Sequence, residues 1–292
     1  MSQLTLPRTA SRALQLTAAS QKTTHDPFDE IDWELPIDDS AYHLPPELLS
    51  LYGTVTWDTM SLADRIVYSR HETAALFSAG IWFENALMQI VLRHLTTISI
   101  TDPMHRYLLI EVADECRHSA MFGEYIRRAG TPTYAPDRPV IVLDSAEGRT
   151  LSYVLILAIE EMLDYANRQA MRDDRVHPTS RAIARLHVAE EARHVSFAKS
   201  YLTEIWPTLD ATEQTVVREV APVLVAEITS LSLNPEVFEH LGIADGEAIA
   251  KANPNHQANV IAGLSKLTGF LTELGAIDAP EVWANFGLIS RQ

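Results

Sequence analysis

Two copies of one short motif set the strongest constraint on how this chain folds. The first copy reads DECRH at residues 114–118 and the second reads EEARH at residues 190–194, so both follow Asp/Glu-Glu-x-Arg-His. In an α-helix, side chains three residues apart lie within about 60° of each other around the axis. Each copy therefore presents a carboxylate and an imidazole on one helix face. The two pairs are Glu115 with His118 and Glu191 with His194.

Apolar residues at three- and four-residue spacings predict four long helices, and the motifs fall in the second and fourth of them. Proline-rich residues 131–139 form a predicted loop between the second and third helices. After Ala211 the sequence predicts shorter helices, separated at Pro222, Pro235, Pro254 and Pro280. Four long helices with short or moderate connections indicate an all-α bundle. The four predicted spans are about 64–95, 104–128, 147–173 and 179–206.

The sequence also divides the chain into regions of different character. Residues 1–50 carry five prolines among polar and acidic residues, with no sustained apolar periodicity. We expect this segment to be a partly irregular N-terminal arm that lies over the body. Residues 51–292 are expected to form a single helical domain, with a bundle over about 60–206 and additional helices over 211–292.

The first and third helices each offer an acidic residue on an apolar face. Glu84 has Gly80, Ile81, Leu87 and Met88 one turn away, which points its carboxylate into the core. On the third helix Glu160 shares its face with Tyr153, Ile156 and Leu163, and the neighbouring Glu161 is the alternative. We predict that Glu160 is the inward acid.

Four buried carboxylates need compensating charge, because burying each one alone costs several kcal/mol. Two divalent metal ions supply the required +4, and carboxylate with imidazole ligation suits iron or manganese. His187, four residues before Glu191, lies on the same face and is either a direct ligand or a hydrogen-bond donor to one. Asp114 and Glu190 are expected to accept hydrogen bonds from the histidines or arginines rather than bind metal. The predicted acidic ligands are Glu84, Glu115, Glu160 and Glu191, and the histidines are His118, His187 and His194.

Composition excludes several other classes of function. The formal net charge is −16, and no run of Lys and Arg appears, so nucleic acid and anionic membranes are poor partners. The single cysteine, Cys116, excludes an internal disulfide framework or a cysteine-rich metal site. No apolar block resembles a secretory signal or a membrane span, and we expect a cytoplasmic protein.

The order and spacing of these seven residues resemble the AurF-type di-iron N-oxygenases, the family of p-aminobenzoate N-oxygenase-like arylamine oxygenases. His187 stands where that family adds a seventh ligand. The resemblance covers about residues 60–205 and implies a ferritin-like four-helix bundle with flanking helices and two iron ions. It further implies O2 as co-substrate, an external electron donor and a peroxo-diferric intermediate. That intermediate oxidises an amine through hydroxylamine and nitroso stages toward a nitro product, in secondary metabolism such as antibiotic biosynthesis.

No catalytic or cofactor-binding residue beyond the metal ligands is predicted. The implied partners are a small-molecule amine and a carrier protein or reductase, and a homodimer is compatible with the fold. Residues 77–80, before Glu84, offer no cation for a substrate carboxylate, which favours an amine lacking one or tethered to a carrier. His177 and Arg181 are candidate polar contacts for the substrate.

Three alternatives remain open at the level of sequence. The same metal pair can attack a C–H bond, and a ferritin-like iron store uses similar ligands. A radical-generating subunit would favour tyrosine one turn after His118, where this chain has Phe122, and Tyr125 supports that alternative only weakly.

Overall fold

The structure, a computed structural model, describes residues 6–139 and 144–291. It is 72% helical, and within the described ranges the sole β-type pairing is an isolated bridge between Tyr42 and Val176. The all-α prediction is therefore confirmed. The helices are α1 (Pro7–Ser20), α2 (Pro27–Glu30), α3 (Val55–Thr59), α4 (Leu62–Leu95), α5 (Pro103–Ala129), α6 (Ala146–Ala170), α7 (Pro178–Ile205), α8 (Ala211–Ser230), α9 (Pro235–His240), α10 (Gly246–Ala252), α11 (Pro254–Leu274) and α12 (Pro280–Asn285).

The four long helices α4 to α7 match their predicted spans to within three residues. Local capping fixes their ends. Ser61 and Asp64 form a reciprocal capping box at the start of α4, and Asp102 caps α5 ahead of Pro103. Helix α5 stops at Gly130, whose φ of +64° lies in the left-handed region that favours glycine.

These helices form a ferritin-like bundle. Helix α4 packs along α5, and α6 packs along α7, each pair being joined by a short turn. The predicted loop over residues 131–139 has no regular structure, as expected. Helices α8 and α11 cover the outer side of α6, while α1 lies across α5 and α7. One side of the bundle is thus covered by the C-terminal helices and another by the N-terminal arm.

The arm is more regular than its sequence suggested, because α1 occupies fourteen of its residues. Its apolar stripe is short: Leu6, Ala13 and Leu16 are buried, and small polar residues fill the rest of the buried face. Such a stripe gives a weak periodic signal, and α1 is held by tertiary contacts with α5 and α7. Residues 1–5 of the predicted arm, and Gln292 of the predicted domain, lie outside the described residues.

Pro222 does not separate two helices as predicted, but lies inside α8. Proline removes one helical hydrogen bond and typically costs about 3 kcal/mol in a helix interior. Helix α8 continues through it because Val217, Ala221 and Val225 form a buried stripe packed on α6. Pro235, Pro254 and Pro280 instead occupy the first positions of α9, α11 and α12, where proline is favourable.

Helix α4 is long and apolar enough to cross a membrane by length and composition, and 56% of its most apolar window is buried within the protein. A buried helix at the centre of a bundle has the same composition. Glu84, near the middle of α4, is 1% exposed, which is consistent with burial of this helix in a protein core.

Helix α1 has no N-cap side chain of its own, and Glu204 of α7 caps it instead. Its carboxylate accepts hydrogen bonds from the backbone N–H of Thr9 (2.7 Å) and Arg8 (3.1 Å) and from the Thr9 hydroxyl (2.8 Å). We expect Glu204→Ala to lower the free energy of unfolding by about 1–2 kcal/mol, since three donors lose their acceptor. Thermal denaturation measures the loss of stability. Glu204→Gln keeps one acceptor oxygen and should therefore retain part of the stability that Glu204→Ala loses. Equal stability of Glu204→Ala and the unmodified chain would contradict this capping role.

Candidate metal centre

The seven predicted ligands converge at the middle of the bundle. Helix α4 contributes one glutamate, α5 a glutamate and a histidine, α6 one glutamate, and α7 a glutamate with two histidines. Each of the seven side chains is at most 1% exposed, although ionisable residues are rarely buried in proteins. The four helices therefore bring together residues separated by up to 110 positions in sequence, which are Glu84, Glu115, His118, Glu160, His187, Glu191 and His194.

Glu115 and Glu191 lie between the two histidines of the repeated motif. The Nδ1 atom of His118 is 2.9 Å from an oxygen of Glu115 and 3.0 Å from an oxygen of Glu191. The Nδ1 atom of His194 is 2.8 Å from Glu115 and 2.9 Å from Glu191. Each carboxylate thus contacts both histidines, one through each of its two oxygens.

Several atoms in this cluster have no hydrogen-bond partner within the part of the chain that the structure describes. They include both oxygens of Glu84, one oxygen of Glu160 and the Nε2 atom of His187. Buried polar atoms are nearly always paired, so unpaired ones need an explanation. Ligand atoms of Glu84, His118 and His187 lie within 4.8 Å of one another, as do those of Glu160, His187 and Glu191. The donor set and its unpaired atoms fit two divalent cations.

The choice between Glu160 and Glu161 is decided by the direction of the two side chains. Glu160 groups with Glu84 and Glu115. Glu161, turned away by one helical step, instead forms an ion pair with Lys199 of α7. Glu160 is therefore the inward acid of α6, while its role as a metal ligand, like that of the other six, stays a prediction.

Outside the cluster, the two motif copies are joined by reciprocal hydrogen bonds between α5 and α7. The Nε2 atom of His118 lies 2.9 Å from Glu190, and the Nε2 atom of His194 lies 3.2 Å from Asp114. Arg193 contacts both acids at 3.3 Å, and Arg117 pairs with Asp114. The prediction that Asp114 and Glu190 accept hydrogen bonds from the histidines and arginines is confirmed.

His187 has a partner of a different kind. Its Nδ1 atom is 3.2 Å from the side-chain amide of Asn167, which lies two turns after Glu160 on α6. Nε2 remains free and faces Glu84 at 3.7 Å and Glu191 at 3.8 Å. The amide nitrogen of Asn167 is the atom that faces Nδ1; with the amide group turned by 180°, its oxygen would accept from Nδ1–H and leave the Nε2 lone pair for a metal ion.

A sequence profile of the family described as P-aminobenzoate N-oxygenase AurF matches residues 7–275. The chain belongs to the AurF family. Members of this family are di-iron oxygenases, and the carboxylate and histidine clusters described above agree with that assignment. The match extends well beyond the 60–205 region that carried the resemblance, into α1 and through α11.

Curated relatives of this AurF-family chain are uncharacterized proteins of mycobacteria. They are Rv0885 and MT0908 of Mycobacterium tuberculosis and Mb0909 of Mycobacterium bovis, each 28% identical over 205 residues. The aligned region covers 66% of this chain and 60% of each relative. The chain thus spans less than two thirds of the length of the curated relatives it matches.

Burial and neighbouring charges set the protonation of the AurF-family cluster. Burial, with the charge of Glu115, raises the pKa of Glu84 well above its ordinary value. Burial, with the charge of Glu191, does the same to the pKa of Glu160. Burial also lowers the pKa of His187 to about 4, so this imidazole is neutral at pH 7.

The two motif histidines behave in the opposite way. Burial alone would lower the pKa of His118, but its hydrogen bonds to Glu115, Glu190 and Glu191 outweigh burial and raise the pKa well above the ordinary value. The charges of Glu191 and Glu115 outweigh burial and raise the pKa of His194 in the same way. Without metal, two protonated glutamates and two imidazolium ions therefore neutralise the cluster.

One further carboxylate, Glu111 of α5, faces the cluster and had no role in the sequence analysis. It is 0% exposed, neither of its oxygens has a hydrogen-bond partner among the described residues, and it groups with Glu115 and His194 within 4.8 Å. The sequence does contain a signal that points to Glu111. The repeat extends over eight residues, from EVADECRH at 111–118 to HVAEEARH at 187–194, so Glu111 occupies the position that corresponds to His187.

The two polar residues proposed to contact the substrate have structural roles instead. His177 caps the start of α7 through Thr179 N–H, and its ring stacks on His43 with 5.2 Å between centroids. Arg181 forms an ion pair with Asp174. Neither residue lines a described cavity beside the cluster, because both lie at the end of α7 that packs against the arm.

Metal binding must displace the protons that neutralise the cluster. We expect metal-free protein titrated with Mn(II) at pH 7 to release about four to five protons per chain as two ions bind, because the pKa of Glu111 is also raised, to about 8. The pKa values of Glu84, Glu160, His118 and His194 are all raised, so metal affinity should fall as the pH is lowered. A pH-indicator dye measures the release, and the melting temperature should rise with bound metal. Binding without proton release would contradict this charge balance.

The position of Glu111 predicts a contribution to one side of the centre. We expect Glu111→Gln to weaken binding of one of two Mn(II) ions by about tenfold or more, because one carboxylate oxygen of its group is lost. Free Mn(II) measured by electron paramagnetic resonance gives both affinities. Glu161→Gln, a substitution at a buried glutamate outside the cluster, is the matched control. Unchanged affinities in Glu111→Gln would mean that Glu111 does not assist binding.

Proposed function

We propose that this AurF-family oxygenase is an amine N-oxygenase. It uses O2 to convert an amine, in the first instance an arylamine, through hydroxylamine and nitroso stages toward a nitro product. The observation that carries the proposal is the set of seven buried ligand-type side chains on four helices, in the order and spacing of the family. Secondary metabolism and a cytoplasmic location belong to the same proposal.

Glu84, Glu160 and His187, with the four residues of the repeated motif, would hold two iron ions. When bound, the iron pair supplies the activation of O2. Formation of a hydroxylamine places one oxygen atom of O2 on nitrogen and releases the other as water, which takes two electrons and two protons. An external electron donor is therefore part of the proposal, and a reductase or a carrier protein is its implied partner.

The protein's own side chains keep the centre dry and ordered. Asp114 and Glu190 accept hydrogen bonds from the Nε2 atoms of His194 and His118, respectively. These bonds fix the ring orientation and leave Nδ1 facing the centre. Phe122 packs against His118 and His187 and closes the side between them. A water-excluded centre protects a reactive oxidant from wasteful reactions with solvent.

The proposal is tested by measuring iron binding and product formation in the unmodified chain and in variants at two neighbouring residues, Glu160 and Glu161. When Fe(II) is added in the absence of oxygen, each chain should bind about two Fe(II) ions. Oxygen, a reductant and an aniline should then give a hydroxylamine, nitroso or nitro product that carries label from 18O2. Glu160→Gln should lower both iron binding and product, whereas Glu161→Gln should keep both, because only Glu160 faces the cluster.

The alternative functions predict different results in the same experiment. Oxygen found on carbon rather than nitrogen would favour attack on a C–H bond. Hundreds of irons per chain would indicate storage. Either result, or full activity in Glu160→Gln, would overturn the proposal.

A further inference from the structure

A narrow cavity of about 120 Å³ runs beside the metal centre between α4 and α6. Its α4 wall consists of Glu72, Leu76, Ala79 and Phe83, which lie on one stripe at successive turns. Phe83 directly precedes Glu84. Eleven residues of helix separate the two ends of this stripe, which corresponds to about 16 Å along the axis.

The α6 wall places the same end of the cavity next to the cluster. Ile159 and Leu163 both line the cavity, and Leu163 lies one turn after Glu160 on the same face of α6. A wider cleft of about 470 Å³ shares Phe83, Ile159 and Ile228 with the narrow cavity and extends to Trp82 and Arg138. Leu87 and Ile156, which lie one turn from Glu84 and Glu160, also line the cleft, so the cleft lies along the Glu84–Glu160 side of the centre.

Glu72 is the acidic residue at the far end. Its two carboxylate oxygens accept from the Ser50 backbone N–H at 3.1 and 3.2 Å, the Ser50 and Tyr68 hydroxyls also interact with it, and the residue lines the cavity. The segment that carries Ser50 is fixed by Asn253, which donates to the carbonyls of Ser50 (2.8 Å) and Tyr52 (2.9 Å). This segment thus holds Glu72 in place in the cavity wall. Burial raises the pKa of Glu72 to about 7, so its carboxylate is mostly ionised at pH 8.

The rest of the lining offers nothing that would attract an anion. Among the described residues around the narrow cavity there is no lysine or arginine. Burial lowers the pKa of His256, which lines the cavity, so it is neutral near pH 7. Asn259 is engaged with the Glu47 carbonyl and the Tyr165 hydroxyl. In the cleft, Arg138 is paired with Glu227 at 2.7 Å.

We propose that this cavity binds the remote part of an elongated amine substrate and that Glu72 selects for an ammonium or other N–H donor at its far end. The inference rests on the proposed function for the position of the reacting nitrogen. A carboxylate at the far end would meet Glu72 in an apolar cavity without a compensating cation, which strongly disfavours its binding. An ammonium there gains a charge-assisted hydrogen bond.

Binding measured without turnover tests the assignment. Calorimetry at pH 8 on ferrous-loaded protein under nitrogen would compare 4-(6-aminohexyl)aniline, 4-hexylaniline and 6-(4-aminophenyl)hexanoate, which are similar in length and differ in the terminal group. We expect the ammonium compound to bind at least about tenfold more tightly than the alkyl compound, and the carboxylate at least about tenfold more weakly. Glu72→Gln should abolish the advantage of the ammonium compound over the alkyl compound and reduce the penalty against the carboxylate, which still loses hydration in an apolar cavity, while Glu219→Gln, at an exposed glutamate, should leave both differences unchanged.

The outcomes separate this inference from the proposed function. Equal affinities for the three compounds, no binding of any, or a preference for the ammonium compound that survives in Glu72→Gln would overturn the role of Glu72. If the selectivity depends on Glu72 but no amine is oxidised after oxygen and reductant are added, the N-oxygenase proposal fails and the assignment of Glu72 stands. If amines are oxidised but Glu72→Gln leaves binding unchanged, the assignment of Glu72 fails and the N-oxygenase proposal stands.

Discussion

The structure depends on how the bundle offsets the mutual repulsion of the carboxylates that it buries at its centre. Glu84, Glu115, Glu160 and Glu191 are each at most 1% exposed, and in an apolar interior four such charges would not remain ionised together. Protons and imidazolium ions offset them in the metal-free chain, and two divalent cations can replace those protons. The bundle therefore holds a set of donors whose protonation and metal binding compete for the same atoms.

A second layer of charged residues holds the histidines of the centre. Asp114 and Glu190 sit behind His194 and His118, and the guanidinium groups of Arg117 and Arg193 lie against both acids. Because each histidine is held by an acid from the other helix, the layer ties α5 to α7. These contacts orient the two histidine rings toward the centre.

The bundle is pseudo-symmetric in its motif helices but not in its surroundings. Glu111 stands where the second copy of the repeat has His187, so the two halves of the centre differ in the type of donor atom that they offer. Helix α1 covers α5 and α7, whereas the cavities lie along α4 and α6 beneath α8 and α11. The additional helices therefore leave cavities on the side of Glu84 and Glu160, and residues of α8 and α11 form part of their walls.

The sequence by itself determined the four long helices, their order and the inward acids, because apolar periodicity and i, i+3, i+4 spacing fix which side chains share a helix face. It did not determine α1, the continuity of α8 through Pro222, or the roles of Glu72 and Glu111. Those features arise from contacts between distant segments: Glu204 caps α1, packing on α6 keeps α8 intact, and the Ser50 amide positions Glu72. Local patterns set the direction of a side chain on its own helix, and only the packing of helices decides what it meets.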